Sequence, residues 1–192
     1  VAVAVPDRAG RVDDVALGFK AYSDFMVDTA CYGKTPGRYA NRIAKGKLTL
    51  GEKSYQLAIN NGPNHLHGGP TGFHTRVWDA EQTDAQTLKL HYLSADMEEG
   101  FPGNLDVTVV YTFNDDNELK IDYTATTDKK TIVNLTSHGF FSLSGIAAPT
   151  ATIDNLICEI NADFFVPIDD TSVPYGCIAP VKGTAFDFTT PT

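Results

Sequence analysis

The sequence predicts an all-β fold, a sandwich or barrel of antiparallel strands. Leu105, Val107, Val109, Tyr111 and Phe113 alternate with residues that include Asp106, Thr108 and Thr112, and shorter runs of the same kind recur along the chain. A period of two sends one set of side chains into a core and the other toward solvent, as in a half-buried strand. Clusters of Gly, Pro, Asn and Asp separate the runs, which marks hairpin turns. No long segment carries apolar residues at helical spacing.

The elements can be placed in chain order. VDDVALGFKAYSDFM, residues 12–26, has room for a turn or two of helix, interrupted at Gly18. KLTLGEKSYQLA, residues 47–58, reads as a short hairpin turning at Gly51-Glu52. Leu88, Leu90 and Tyr92 give a strand, followed by the long run from Leu105 to Phe113. Asn114-Asp115-Asp116-Asn117 turns the chain into Leu119, Ile121 and Tyr123. Thr131–Leu135 and Thr152–Ile160 are further strand candidates. No repeat or low-complexity linker divides the chain, so residues 1–192 are expected to form a single domain.

Composition narrows the function classes. With 42% hydrophobic and 20% charged residues, usage is that of a globular protein and argues against disorder. The net charge of −9, with no Lys/Arg run, argues against nucleic acid and against an anionic membrane surface, since both need a basic face. No apolar run approaches the ~20 residues of a membrane-spanning helix. Cys31, Cys158 and Cys177 are odd in number and far apart, which fits neither a disulfide framework nor a zinc ribbon and suggests reduced thiols. The first residues, VAVAVPDRAG, lack the basic and apolar regions of a signal peptide. The chain opens on Val1 and stops at DFTTPT, so both ends read as cut and the compartment stays open, with a cytoplasmic setting slightly favoured.

Four polar stretches stand out. In NHLHGG, His65 and His67 are one residue apart between Pro63 and Gly68-Gly69. On a strand the two imidazoles would share a face, a common metal geometry, but the proline and glycines argue against a regular strand and no further ligand follows. A histidine bonded to the backbone and a histidine aimed at a substrate by a stiff turn are the other two readings. In GRYANRI, Arg38 and Arg42 are four apart; Asn41-Arg42 is either a turn with a surface charge or a guanidinium reaching for hydroxyl groups. In NLTSHGFF, His138 precedes Gly139 and two phenylalanines, and is either a core residue or a positioned acid or base behind apolar walls. In SADMEEGFPGN, the carboxylates Asp96, Glu98 and Glu99 lack calcium-loop spacing, and FPGN is a turn signal, so this stretch reads as structural. Trp78 reads as a core residue.

Together and in this order, CYGKTPGRYANRIAKGKLTL, NNGPNHLHGGPTGFHTRVWDA, ADMEEGFPGNLDVTVVYTF, NLTSHGFFSLSG, INADFFVPIDD and VKGTAFDF resemble the aldose 1-epimerase (galactose mutarotase) family across almost the whole chain. The resemblance implies a large antiparallel β-sandwich with an open sugar cleft, incomplete here. It implies interconversion of the α and β anomers of a free aldose such as galactose or glucose, with no cofactor and no metal. On that basis His138 matches the general acid and His67 a second cleft histidine, both catalytic, while Asn41 and Arg42 match the substrate-binding pair. His65 does not match a functional position and is expected to be supporting or at the surface.

The chain also departs from the family pattern. The family's general-base glutamate and a sugar-binding aspartate lie beyond the matched stretch, and Glu98, Glu99 and Glu159 match neither. The chain is therefore expected to be a central piece of such an enzyme, inactive alone, with an apolar face uncovered. Ser137 stands for the family's Asn, Phe140-Phe141-Ser142-Leu143 for Tyr-Phe-Asn-Leu, and Met97 for the Gly before Glu-Glu. A non-catalytic carbohydrate-binding sandwich is the alternative.

Overall fold

Period-two alternation is expressed most fully in residues 105–127. The computed structural model describes residues 2–146, 152–154 and 156–192. Among these, strands dominate: β1 (Ala4–Pro6), β2 (Val12–Asp14), β3 (Arg42–Ile43), β4 (Lys47–Leu50), β5 (Lys53–Gln56), β6 (His65–Leu66), β7 (Asp79–Gln82), β8 (Thr87–Ser94), β9 (Leu105–Phe113), β10 (Leu119–Thr127), β11 (Phe164–Phe165) and β12 (Ala179–Pro180). The all-β expectation holds. Strands β7 to β10 form one four-stranded antiparallel sheet in the order β10-β9-β8-β7, and the others pair as two-stranded ribbons.

Register aligns the apolar rows. Val109 faces Leu90 on one side and Tyr123 on the other, and Tyr111 faces Leu88 and Ile121. Such cross-strand pairs are the unit of sheet stability. Val107 and Val109 are fully buried, and with Leu105 and Phe73 they centre the larger core cluster. Removing each Val from water contributes about 1.5–3 kcal/mol. Trp78 lies against this cluster as expected. Its ring packs edge-on to Phe73 at 5.6 Å and its indole N–H donates to the Phe73 carbonyl. At one end of the same face, Leu88, Tyr111, Phe113 and Leu119 border an open groove of about 530 Å³.

The short elements follow the turn chemistry. Strands β4 and β5 pair with Leu50 opposite Lys53, so Gly51-Glu52 is the predicted two-residue turn. Gly51 takes φ +65°, which glycine adopts without a Cβ penalty. Among the described residues a single short α-helix, α1 (Tyr22–Val27), starts four residues after Gly18. Leu48, Leu57 and the fully buried Phe101 form a second core cluster under this region.

Two strand expectations fail. Thr131–Leu135 makes only an isolated bridge from Asn134 to Tyr39, because its polar groups pair with one neighbour rather than a ladder. Thr152–Ile160 carries no strand among its described residues, Asn155 lying outside them, and Ile153 and Ile157 are exposed.

Candidate active site

The candidate site grows from the β3–β6 ribbon. Arg42 pairs with Leu66 and Ile43 with His65, which brings NRI beside HLH although they are far apart in sequence. Asparagines hold this ribbon. The Asn60 side chain receives the Leu66 N–H at 2.7 Å and donates to the Leu66 carbonyl at 3.0 Å, acting as an extra stretch of backbone. Asn64 receives the Lys45 N–H and donates to Thr171. Asn side chains do this readily in turns.

His65 and His67 then part company. The ribbon ends at Leu66, and His67 turns into the left-handed region at φ +54°, so the two rings do not share a face. His65 is fully buried, against Phe101, and its Nδ1–H donates to the Ala58 carbonyl at 2.9 Å. Burial lowers its pKa and leaves it neutral, with Nε2 lacking a partner. Its role is supporting, but in the core rather than at the surface: its partner is the backbone of the preceding turn. His67 takes the opposite tautomer. The Asn41 N–H donates to its Nδ1 at 3.0 Å, so the proton of the neutral ring sits on Nε2. The His67 N–H returns a bond to the Asn41 carbonyl at 3.0 Å.

The two glycines after His67 are fixed by close approach. Gly68, at φ +84°, passes so near the Gly37 carbonyl that a Cβ would collide with it. A Cβ on Gly69 would strike the Glu99 carboxylate, which accepts from the Thr71 N–H and hydroxyl. The stiff turn is thus pinned on both flanks, and it presents the His67 ring to His138. Their centroids are 5.1 Å apart and the planes stand at 88°.

His138 lies three residues beyond Leu135, the end of the stretch that failed to form a strand. Its N–H donates to the Lys34 carbonyl at 2.9 Å, and its carbonyl accepts from Gly33 N–H at 3.0 Å. Phe140 packs beside its ring at 5.1 Å and in turn meets Tyr32 at 4.9 Å. His67, His138, Asn41 and Phe140 line an open cleft of about 470 Å³ together with Asn134 and Ser137. Arg42 stands beside it, donating from Nε to Asn61 Oδ1 at 3.0 Å and from Nη1 to Asn41 Oδ1 at 3.3 Å.

Electrostatics favour a neutral His67. Burial is the largest cause, and the nearby His138, His74 and Arg42 act in the same direction; together they lower its pKa to about 4. His74 lies behind the turn, against the His67 main chain, and burial lowers its pKa too.

Of the four residues singled out in the sequence, Asn41, His67 and His138 line one cleft, and Arg42 stands beside it, bonded to Asn41. The acidic turn stays structural. Glu98 accepts from Tyr92 at 2.6 Å, from Ser94, and from Arg76 at 3.0 Å. Asp96 pairs with Lys129 and receives the Gly103 N–H. Among the described residues no three His, Cys, Asp or Glu side chains gather as metal ligands, and the cleft lining holds no carboxylate. Sequence reasoning missed Asn61, which holds Arg42, and His74. Only the density of asparagines before His65 hinted at such support.

Comparison with known proteins points the same way. A family model described as Aldose 1-epimerase matches residues 1–192. A galactose mutarotase of Sus scrofa is 46% identical over 190 residues, covering 99% of this chain and 54% of that protein. An aldose 1-epimerase of Escherichia coli (strain K12) is 39% identical, covering 96% of this chain and 52% of that protein. The crystal structure of a GalM/aldose epimerase homologue from C. elegans superposes with a TM-score of 0.92 at 37% identity, over 98% of this chain and 57% of that one. The chain spans about half the length of the curated relatives it matches. With the motifs in register, the histidine pair at one cleft and a family match that runs end to end, this chain belongs to the aldose 1-epimerase family.

Proposed function

We propose that this chain supplies the acid side of an aldose 1-epimerase, which interconverts the α and β anomers of a free aldose such as galactose or glucose. The observation that carries the reading is the pair His67–His138, whose rings meet edge-on with centroids 5.1 Å apart in the lining of a cleft that Asn41 shares. Opening a hemiacetal ring needs a proton delivered to the ring oxygen and one removed from the C1 hydroxyl. The aldehyde then rotates about C1–C2 and closes on its other face. His138 protonates the ring oxygen and recovers that proton on closure. His67, neutral and protonated on Nε2, donates a hydrogen bond to the sugar without adding charge. Asn41 and Arg42 orient ring hydroxyls and limit the pose. Glu98 and Glu99 are committed to other partners. The base that deprotonates the C1 hydroxyl comes from outside these residues. No cofactor enters the scheme, and residues 1–192 act as one unit of it.

The test is polarimetry of freshly dissolved α-D-galactose with the complete protein that carries this chain. His138→Ala is expected to slow the decay of rotation at least ~10²-fold, the usual worth of a positioned acid. Undiminished turnover in that variant removes His138 from the acid role. Sugar binding without decay above the buffer blank in the wild type points instead to a non-catalytic carbohydrate-binding sandwich.

A further inference from the structure

We propose that Arg38 is a positioning residue for the cleft: its buried guanidinium anchors one segment, Gly33–Arg42, from which both histidine arms are held. The inference rests on the reading of the cleft as a mutarotase site. Arg38 is only 2% exposed. Its Nε donates to Ser94 Oγ at 2.9 Å, Nη1 to the Pro102 carbonyl at 3.1 Å, and Nη2 to the Ser94 and Ala95 carbonyls at 3.1 and 2.7 Å. Among the described residues no carboxylate touches it directly. The Ser94 hydroxyl accepts from Arg38 and donates to Glu98, so the cation is balanced at one remove. A buried charge is tolerated only when its donors are satisfied, and a planar fork meeting four acceptors is a rigid joint.

The location of the joint sets Arg38 apart from an ordinary buried cation. The Arg38 carbonyl accepts from Asn134 N–H at 2.9 Å, and Ala40 N–H donates to the Asn134 carbonyl at 2.7 Å. Lys34 and Gly33 hold the His138 main chain. The same segment includes Asn41, whose N–H fixes the His67 tautomer. It also presents the Gly37 carbonyl, which Gly68 skirts and to which Phe73 N–H donates at 3.0 Å. Both arms of the cleft therefore reference a single stretch of backbone, and that stretch is bolted by Arg38 to the end of β8 and the turn before β9. Lysine cannot reproduce the joint, because a point charge with three donors does not span four acceptors in one plane.

The experiment uses Arg38→Lys in the complete protein. Anomeric exchange is measured by polarimetry, folding by circular dichroism and thermal melting, and the His67 ring by long-range ¹H–¹⁵N spectra. The expected result is a folded variant with kcat reduced about 10- to 100-fold, KM within about threefold, and a His67 ring that no longer reports a pure Nε2–H tautomer. A general loss of folded protein would scale the rate without altering the tautomer of the fraction that remains. Ser94→Ala removes one acceptor and leaves three. It carries the test if Arg38→Lys does not fold, with an expected kcat loss of about threefold to tenfold and the same spectral change in weaker form. A folded variant with kcat within about twofold of wild type and an unchanged His67 spectrum overturns the proposal. Absence of anomeric exchange in the wild type overturns the functional reading instead, and the tautomer spectrum still decides the role of Arg38.

Discussion

Acid titration of His67 tests the electrostatics of the cleft most directly. Its pKa is lowered from 6.5 to about 4, with burial as the largest cause. At pH 5 a histidine with a pKa of about 4 is about 90% neutral, whereas one at about 6.5 is about 3% neutral. The sign of the linkage follows. The folded state binds fewer protons than the unfolded state between about pH 4 and 6.5, so stability is present above that window and is lost as pH falls through it. At about 1.4 kcal/mol per unit the upper bound is near 3 kcal/mol, and because the ring opens onto the solvated cleft, about 1–2 kcal/mol is the expected size. His65 and His74 are lowered too and add to the loss in the same direction. The assay is a ring-proton NMR titration of the complete protein, with His67 assigned from the spectrum of His67→Asn. The expected midpoint is near 4, with sugar affinity maintained down to about pH 5. Protonation at lower pH places a proton on Nδ1 against the Asn41 N–H, which breaks the bond that aims the ring. A His67 midpoint near 6.5, or an Nδ1–H tautomer at neutral pH, refutes the reasoning.

Two further substitutions read the turns. Gly68→Ala forces a Cβ toward the Gly37 carbonyl at a backbone φ of +84°, so it is expected to destabilise by at least ~2 kcal/mol, read by thermal melting, and to weaken sugar binding with it. Met97→Gly is expected to stabilise by about 0.5–1 kcal/mol, because Met97 is half exposed and sits at φ +67°, where a side chain strains the backbone and glycine does not. Denaturant melts of both variants check the signs.

Three strands of the four-stranded sheet, β8 to β10, were legible in the sequence through their alternating apolar residues, whereas β7 is exposed at every residue and carries no such record. Leu105 to Phe113 shows the alternation most fully. The Gly51-Glu52 hairpin was legible for a related reason, since a two-residue turn at that position favours a positive φ. Thr131–Leu135 misled because apolar alternation reports a half-buried extended chain, and an extended chain need not join a ladder. Here Asn134 bonds Arg38 and Ala40, and His138 just beyond the stretch bonds Lys34 and Gly33, all in one segment far away in sequence. No local pattern can encode that pairing.

The candidate site divides along the same line. His67, His138, Asn41 and Arg42 were identified through family motifs, whereas spacing alone left each of them open between a structural and a functional reading. The H-x-H pair shows why spacing falls short. A strand would have placed both rings on one face, but the positive φ at His67 ends the strand one residue early and sends the rings to different places. One becomes an Nδ1–H donor sealed in the core and the other an Nε2–H donor in the cleft. Arg38 was invisible for a complementary reason. A buried arginine and a surface arginine look identical in sequence, and only the convergence of the Ser94, Ala95 and Pro102 carbonyls distinguishes them. Those carbonyls lie at the end of one strand and in the turn before the next, so the acidic EEGFPG stretch takes part in the cleft without lining it. Its carboxylates and carbonyls fix the backbone that aims the histidines, which explains how a turn with no residue in the cleft can still govern its geometry.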